Sequence, residues 1–341
     1  MRSSLLTIVS TFILLLSWFG SSVHAIEVSE LKFTELNKRQ GLSDTTVLDI
    51  VEDDKGFIWI ATSNGLNRYS GYEVKQYHPS DVDVNSIPSG FIQTLFLDSD
   101  GILWLGTNNG LAKYKPDTDN FEVFNKDNST IKTNSITAIS ESKTGKILFA
   151  DEKFLYQFDK SQNNITSAKQ VFDERTFVKV IMDEANRTWI GSNEFGAKIL
   201  DKETGELSSL DKVNPWGITL DSAALHDIKV INGNYWLATK EGINIVNARG
   251  KTILVKNGAD LGFDGNLNSL NITVDENDIW IGTASGLFVL SNAAAKEIKS
   301  DTDFSVLHLN SDNYESTGLP AASIMQVTVD RTGVLWAGTF R

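Results

Sequence analysis

Apolar and polar positions alternate along this chain in short bursts. Val47 to Glu52, Phe91 to Leu97 and Ile324 to Val329 follow the period of two expected of half-buried strands. Downstream of each lies a turn signal and then a second apolar run built on one tetrapeptide. Its six copies are Trp59-Ile60-Ala61-Thr62, Trp104-Leu105-Gly106-Thr107, Trp189-Ile190-Gly191-Ser192, Trp236-Leu237-Ala238-Thr239, Trp280-Ile281-Gly282-Thr283 and Trp336-Ala337-Gly338-Thr339. Gly65, Gly110, Gly242 and Gly286, each six residues past the Trp, open a third short run such as Leu66-Asn67-Arg68-Tyr69. Tyr72 to Tyr77 and Asn120 to Phe124 read as a fourth. Self-similarity at about 40–50 residues marks a radial or solenoidal array. Four short antiparallel strands per repeat make one propeller blade, so the expected fold class is all-β.

The turn between the first two strands has its own chemistry. Asp53, Asp98, Asp183 and Asp330 precede the Trp by six residues, and Gly56, Gly101, Gly145 and Gly333 stand three before the Trp slot. A carboxylate there can accept from the N–H groups of its own turn, and Gly supplies positive φ. Side chains alternate along a strand, so the Trp and the small residue two positions on share a face. A ring beside Gly or Ala leaves room for the neighbouring blade. Leu148 fills the Trp slot midway between Trp104 and Trp189, which reveals a seventh unit. The expectation is a seven-bladed β-propeller of four-stranded blades, the last incomplete at the C-terminus. The long spacing from Trp280 to Trp336 accommodates an insertion, Ser291 to Ser316, expected to be a surface loop. Lys32-Phe33-Thr34-Glu35-Leu36 reads as a fourth strand without a blade of its own, able to clasp the last one. No third strand follows Thr339, so a fragment of a longer protein or a truncated reading frame is expected.

The run from Val47 to Tyr69, with Asp53, Gly56, Trp59, Ala61, Thr62, Gly65 and Leu66 at their spacings, resembles the two-component regulator propeller repeat. The match is strong in repeats one, two, six and seven and degenerate in three to five, where Leu148 replaces Trp and Asn186 replaces Gly. The resemblance implies a periplasmic input domain of a membrane-spanning bacterial sensor, followed in such proteins by a β-sandwich, a transmembrane helix and a histidine kinase or diguanylate cyclase. It also implies a homodimer in the full-length parent.

Composition narrows the setting. Residues 1–25 carry Arg2, an apolar stretch from Leu5 to Phe19 and the small-residue site Val23-His24-Ala25, a signal peptide, leaving 26–341 as the propeller domain. An uncleaved anchor is the second choice, since the apolar run is short for a span. The mature part has a formal charge of −14, which repels nucleic acid and anionic lipid. A membrane would enter only through a missing C-terminal segment. The absence of Cys removes disulfides and thiolate sites, and export without disulfides suits a bacterial periplasm.

Little catalytic chemistry is legible. His78, His226 and His308 have no zinc spacing, and no nucleophile elbow or phosphate loop occurs, so no metal, cofactor or catalytic residue is expected. Asp81-Val82-Asp83-Val84-Asn85 begins like a calcium loop but has Ser86 and Ile92 where Gly and Glu are needed. Ligand candidates lie instead on the first strands, which line the central channel. Asp49, Thr94, Ala138, Lys179, Asp227, Asn271 and Gln326 share one register, polar in six of seven units. The next position is apolar throughout. Bonds from these groups to channel water and adjacent blades are the favoured account, ligand binding the sharper one. Changing Asp49 and Lys179 to Ala is expected to spare folding. Trp216, in a loop toward the fifth unit, is an aromatic candidate at the channel entrance. The function expected is ligand sensing, of a small molecule or glycan fragment. The alternatives are an exported propeller hydrolase or lyase using Asp49 and Asp227, and a ligand-free interaction platform.

Overall fold

The computed structural model describes residues 31–174, 176, 178–183, 187–201, 205–210, 220, 224–247, 251–262, 269–310, 317–319 and 323–340. The signal segment and Trp216 lie outside the described residues. The strands are short and pair only with sequence neighbours, as the alternation demanded. Blade one holds β1 (Val47–Glu52), β2 (Ile58–Thr62), β3 (Gly65–Tyr69) and β4 (Val74–Tyr77). Blade two holds β5 (Ile92–Leu97), β6 (Leu103–Thr107), β7 (Gly110–Lys115) and β8 (Asn120–Phe124). Blade three holds β9 (Ile136–Glu141), β10 (Ile147–Asp151), β11 (Phe154–Asp159) and β12 (Asn164–Gln170). In blade four come β13 (Val178–Met182), β14 (Thr188–Ser192), β15 (Ala197–Leu200) and β16 (Leu207–Ser209). Blade five has β17 (Leu225–Ile231), β18 (Asn234–Thr239), β19 (Gly242–Asn247) and β20 (Thr252–Asn257). Blade six has β21 (Ser269–Asp275), β22 (Asp278–Thr283), β23 (Gly286–Ser291) and β24 (Ser305–Leu309). Last comes a sheet of two strands, β25 (Ile324–Val329) and β26 (Leu335–Thr339).

Among the described residues the protein is thus an all-β propeller with six four-stranded antiparallel blades and a further two-stranded sheet, so the expected count of seven blades is not established. Two further expectations need correction. Ser291 to Ser316 is not wholly a loop, because Ser305–Leu309 returns as β24 and pairs with β23. Its polar flanks hid a strand whose Leu309 is buried. Residues 31–36 form no strand; the Phe33 N–H donates to the Thr317 carbonyl at 2.6 Å, and Leu31, Phe33 and Leu36 pack against the ring.

Packing between units explains the tetrapeptide. A Cβ added to Gly106 would come within 2.7 Å of the Ile136 carbonyl oxygen, and one on Gly191 within 2.4 Å of that of Leu225, each at the start of the next blade. The same approach recurs where the ring closes, with a Gly338 Cβ 2.8 Å from Val47 Cγ1. Small residues at this position let consecutive first strands come close. The Thr or Ser beside them faces the other way. Its hydroxyl donates to the carbonyl of the Gly opening the next strand, as Thr62 does to Gly65 and Thr107 to Gly110. A second clamp joins units at the hairpins. The Arg331 N–H donates to Glu52 Oε2 at 2.7 Å, as the Ser99 N–H donates to Glu141 Oε2 at 2.8 Å between blades two and three. Arg331 also holds the Asp53 and Asp54 carbonyls and the Asp54 carboxylate, tying the last sheet to blade one.

Candidate functional site

The first strands meet around the central channel, and the predicted register holds in every unit. Asp49 pairs with Ala61, Thr94 with Gly106, Ala138 with Ala150 and Lys179 with Gly191. Asp227 pairs with Ala238, Asn271 with Gly282 and Gln326 with Gly338. Each channel residue therefore sits opposite the small residue of its own tetrapeptide, including Asp227 and Asn271, where the hairpins are one residue shorter.

Three of these side chains stitch neighbouring units together. Asp49 Oδ2 accepts from the Leu95 N–H at 2.8 Å and the Thr94 hydroxyl at 3.2 Å. Asp227 Oδ2 accepts from the Ile272 N–H and from Asn271 Nδ2, both at 3.0 Å. Asn271 Oδ1 then accepts from the Val327 N–H at 2.9 Å. The donor is each time the apolar position following the channel residue of the next unit. Burial pushes the Asp49 carboxyl above its ordinary range, with the positive charge of Lys179 and hydrogen bonds from Leu95, Ile50 and Thr94 opposing it. Replacing Asp49 would strand buried donors, so the expectation that its Ala variant spares folding is withdrawn. Lys179 and Gln326 are half-exposed and are the members of the register best placed to meet solvent.

The rim carries aromatic groups that sequence reading passed over. Phe91, Phe195 and Phe340 are 37, 43 and 57% exposed. All three lie at the end of the ring where the first strands begin: the Phe91 carbonyl accepts from Asn108 in the β6–β7 turn, Phe195 stands in the β14–β15 turn, and the Phe340 N–H donates to Ser323. Their signal was an aromatic at or just beyond the end of an alternating run, beside the turn. The Asp81–Asn85 segment lines a cleft of about 710 Å³ with Lys115 and Asn125, on the outer side of blade two. Among the described residues, no group of three or more His, Asp or Glu is arranged to hold a metal ion. No helix among them is long and apolar enough to cross a membrane.

The hairpin Asp does more than its sequence pattern suggested. In blade two, Asp98 Oδ1 accepts from the Asp100 and Ile102 N–H groups, while Oδ2 accepts from Trp104 Nε1 at 2.9 Å. Asp53, Asp183 and Asp330 bind Trp59, Trp189 and Trp336 in the same way, each at 2.8 Å. Blades five and six lack the Asp, and there the buried Nε1 atoms of Trp236 and Trp280 have no hydrogen-bond partner among the described residues. Blade three has Ser142 in place of the Asp and Leu148 in place of the Trp, so no indole needs satisfying. These groups build the scaffold and lie away from the channel.

Comparison with known proteins agrees with this architecture. Residues 41–64 and 86–109 match the two component regulator propeller family. Over 75 residues the chain is 33% identical to histidine kinase P4 of Formosa agariphila, a stretch that is 22% of this chain and 5% of that protein. The fold is similar to the extracellular domain of a putative hybrid two component system from B. thetaiotaomicron, with a TM-score of 0.72, 22% identity and 91% of this chain covered. The chain spans 41% of that structure. It is also similar to virginiamycin B lyase from Staphylococcus aureus crystallised with quinupristin, with a TM-score of 0.65, 15% identity, and 89% of this chain and 95% of that one covered. At these identities the structural likeness is one of fold.

Proposed function

We propose, from a chain whose residues 41–64 and 86–109 are two-component regulator propeller repeats, that it is the periplasmic ligand-sensing input domain of a bacterial signal-transduction protein. The rest of that protein would supply a membrane span and a kinase or cyclase output. The observation carrying this reading is that family match on a propeller whose channel polar groups serve the scaffold. Asp49 and Asp227, the carboxylates a hydrolase or lyase would need, are engaged with the next blade, so that second reading finds no free acid or base among them. A ligand would meet the entrance rim, where Lys179 and Gln326 offer polar contacts and Phe91 and Phe195 apolar area, a combination suited to a glycan fragment or other flat polar molecule. Thr94 remains a candidate in the same register, and Trp216, which lies outside the described residues, remains one on its sequence position alone. Occupancy would act by favouring one arrangement of sensor dimers over another.

The test is thermal-shift screening of the purified chain against glycan fragments and small polar metabolites, with Lys179→Ala and Phe195→Ala variants in parallel. A ligand that raises Tm for the native chain and at least tenfold less effectively for either variant supports the reading. Equal response in both variants, or no stabilising ligand, overturns the rim as the sensing site.

A further inference from the structure

Each first strand turns one backbone N–H toward the channel, and the units differ in what meets it. In an antiparallel pair, residues alternate between bonding the partner strand and facing away from it. Asp53, Asp98, Ser142, Asp183 and Asp330 donate across their own hairpins. Three residues upstream of each, the N–H groups of Ile50, Leu95, Ile139, Val180 and Val327 therefore face away from the second strand. The two-residue hairpins of blades five and six put Ile228 and Ile272 in the same place.

In four units a side-chain oxygen meets this donor. Asp49 Oδ2 accepts from Leu95 at 2.8 Å, Asp227 Oδ2 from Ile272 at 3.0 Å and Asn271 Oδ1 from Val327 at 2.9 Å, while Asp49 Oδ1 accepts from its own neighbour Ile50 at 2.8 Å. The other three donors, Ile139, Val180 and Ile228, belong to consecutive blades and meet no side-chain acceptor among the described residues. The sequence explains the break. Between units, the acceptor comes from the channel residue of the preceding one. For these three donors that residue is Thr94, whose hydroxyl is turned to Asp49, then Ala138, which has no polar side-chain atom, then Lys179, which only donates.

Lys179 adds a charge to the same arc. It is half-exposed and makes no hydrogen bond or ion pair with a described residue. Its positive charge is felt by the Asp49 carboxyl of blade one, across the ring, so the ammonium reaches into the channel. Asp49 has both oxygens committed to Ile50, Leu95 and Thr94, and no hydrogen bond runs from Lys179 to it. From Ala138 to Lys179 the register thus offers donors alone. Backbone N–H groups beside an ammonium are what an oxyanion recognises.

We propose that this arc of the channel is a binding site for a ligand carboxylate, with one oxygen accepting from the Val180 N–H and the Lys179 ammonium meeting the charge. Blade two supplies the template, because there the Leu95 N–H is met by the carboxylate of Asp49. Ala138 lies opposite Ala150 as Asp49 lies opposite Ala61, so in blade three the carboxylate comes from the ligand instead of from the chain. The inference rests on the reading of the rim as the sensing site and gives its ligand a negative charge, as on an acidic sugar.

The probe is sodium acetate, titrated at constant ionic strength into the isotope-labelled full chain and read at the Val180 and Ile228 amide resonances. Acetate is expected to shift Val180 saturably and Ile228 with it, acetamide of the same shape to bind at least tenfold more weakly, and inorganic phosphate to bind more weakly than acetate. Lys179→Met should weaken acetate at least tenfold. Ala138→Asp brings the chain's own carboxylate to Val180, and should abolish the acetate response while slowing exchange of the Val180 amide at least tenfold. Acetate and acetamide on the unaltered chain decide the matter even where that variant folds poorly. Equal shifts with the two, or none with either, would overturn the site, and tighter binding of phosphate would overturn the carboxylate as its ligand class. Stabilisation by neutral glycan fragments that Phe195→Ala abolishes, with no acetate response, would sink the carboxylate site and leave the rim reading standing.

Discussion

Blade two and blade five share a buried tryptophan and differ in what that tryptophan bonds. Trp104 is wholly buried and gives its Nε1–H to Asp98; Trp236 is almost as buried and finds no acceptor among the described residues. The hairpins explain the difference. Blade two turns through Asp98 to Gly101, long enough to bring a carboxylate under the ring, whereas blade five turns at Asn232 and Gly233, both at positive φ, and has Val230 six residues before its Trp. Burial and the polar latch are therefore separable parts of the repeat. The seventh sheet makes the converse case, for Trp336 keeps its latch to Asp330 and yet stays half-exposed. The ring surface of the Trp holds neighbouring blades together, and the latch fixes the hairpin.

The harshest way to break this comparison is to remove the ring. Trp104→Ala empties a filled inter-blade space and should cost about 3–5 kcal/mol. Trp236→Ala should cost nearly as much, and Trp336→Ala well under half, because less of its surface is buried. Urea titrations of the three variants check the order. Equal losses at Trp104 and Trp336 would mean that the latch, not burial, carries the stability.

Removing the latch comes next. Asp98→Ala leaves Trp104 Nε1 and two turn N–H groups without their acceptor, and takes one carboxylate from Lys160, which also reaches Asp100 and Glu141. Buried donors left unpaired cost about 1–3 kcal/mol each, so a loss of about 2–4 kcal/mol is expected. A smaller and more selective change is Trp to Phe. In blade two it takes the indole donor from Asp98 Oδ2, leaving only the longer Lys160 contact there, and should cost about 1–3 kcal/mol. In blade five it removes an indole N–H that already lacks a partner, so Trp236→Phe should be clearly milder. If both Phe variants melt alike, the orphaned Nε1 in blade five has an acceptor.

How much of this was legible depended on how local the cause was. The Asp-to-Gly hairpin, the first-strand register and the hidden unit at Leu148 follow from alternation and spacing, because strand pairing within a blade is set by neighbours in sequence. The bond from Asp98 to Trp104 was within reach too, six residues apart, but needs the twist of the hairpin to bring the two together. Other features depend on ring geometry. The reach of Asp49 to Leu95 and of Asp227 to Ile272 joins residues about one repeat apart, so a polar residue in the channel register looks the same in sequence whether it faces water or a neighbour. The strand Ser305–Leu309 escaped for a simpler reason: Asp, Asn, Ser and Lys around it outweigh its short apolar core. Trp216 lies outside the described residues, and its place at the rim rests on sequence alone.

Acid should separate the two halves of the ring most gently, and with opposite signs. At the outer edge of blades one and two, burial disfavours the Asp119 charge, but hydrogen bonds from Lys75, Tyr114 and Tyr77 outweigh it and hold the carboxyl at about 2. In blade six, burial first and then the charges of Glu276 and Asp278 push the Asp275 carboxyl above its ordinary range. A carboxyl depressed in the folded state contributes stability that is present above its unfolded pKa of about 3.9 and is lost as pH falls toward the folded value. A raised one works the other way, and its penalty is relieved as pH falls through the folded value to the unfolded one. Amide exchange at pH 5 and pH 3 should therefore show protection falling at Tyr114 and Phe121 and holding or rising at Val274 and Ile279. Asp119→Asn should abolish the acid response of the first pair and leave the second unchanged. Loss of protection at the same rate in both blades would show that the ring opens as one unit, with no blade weakened before the others.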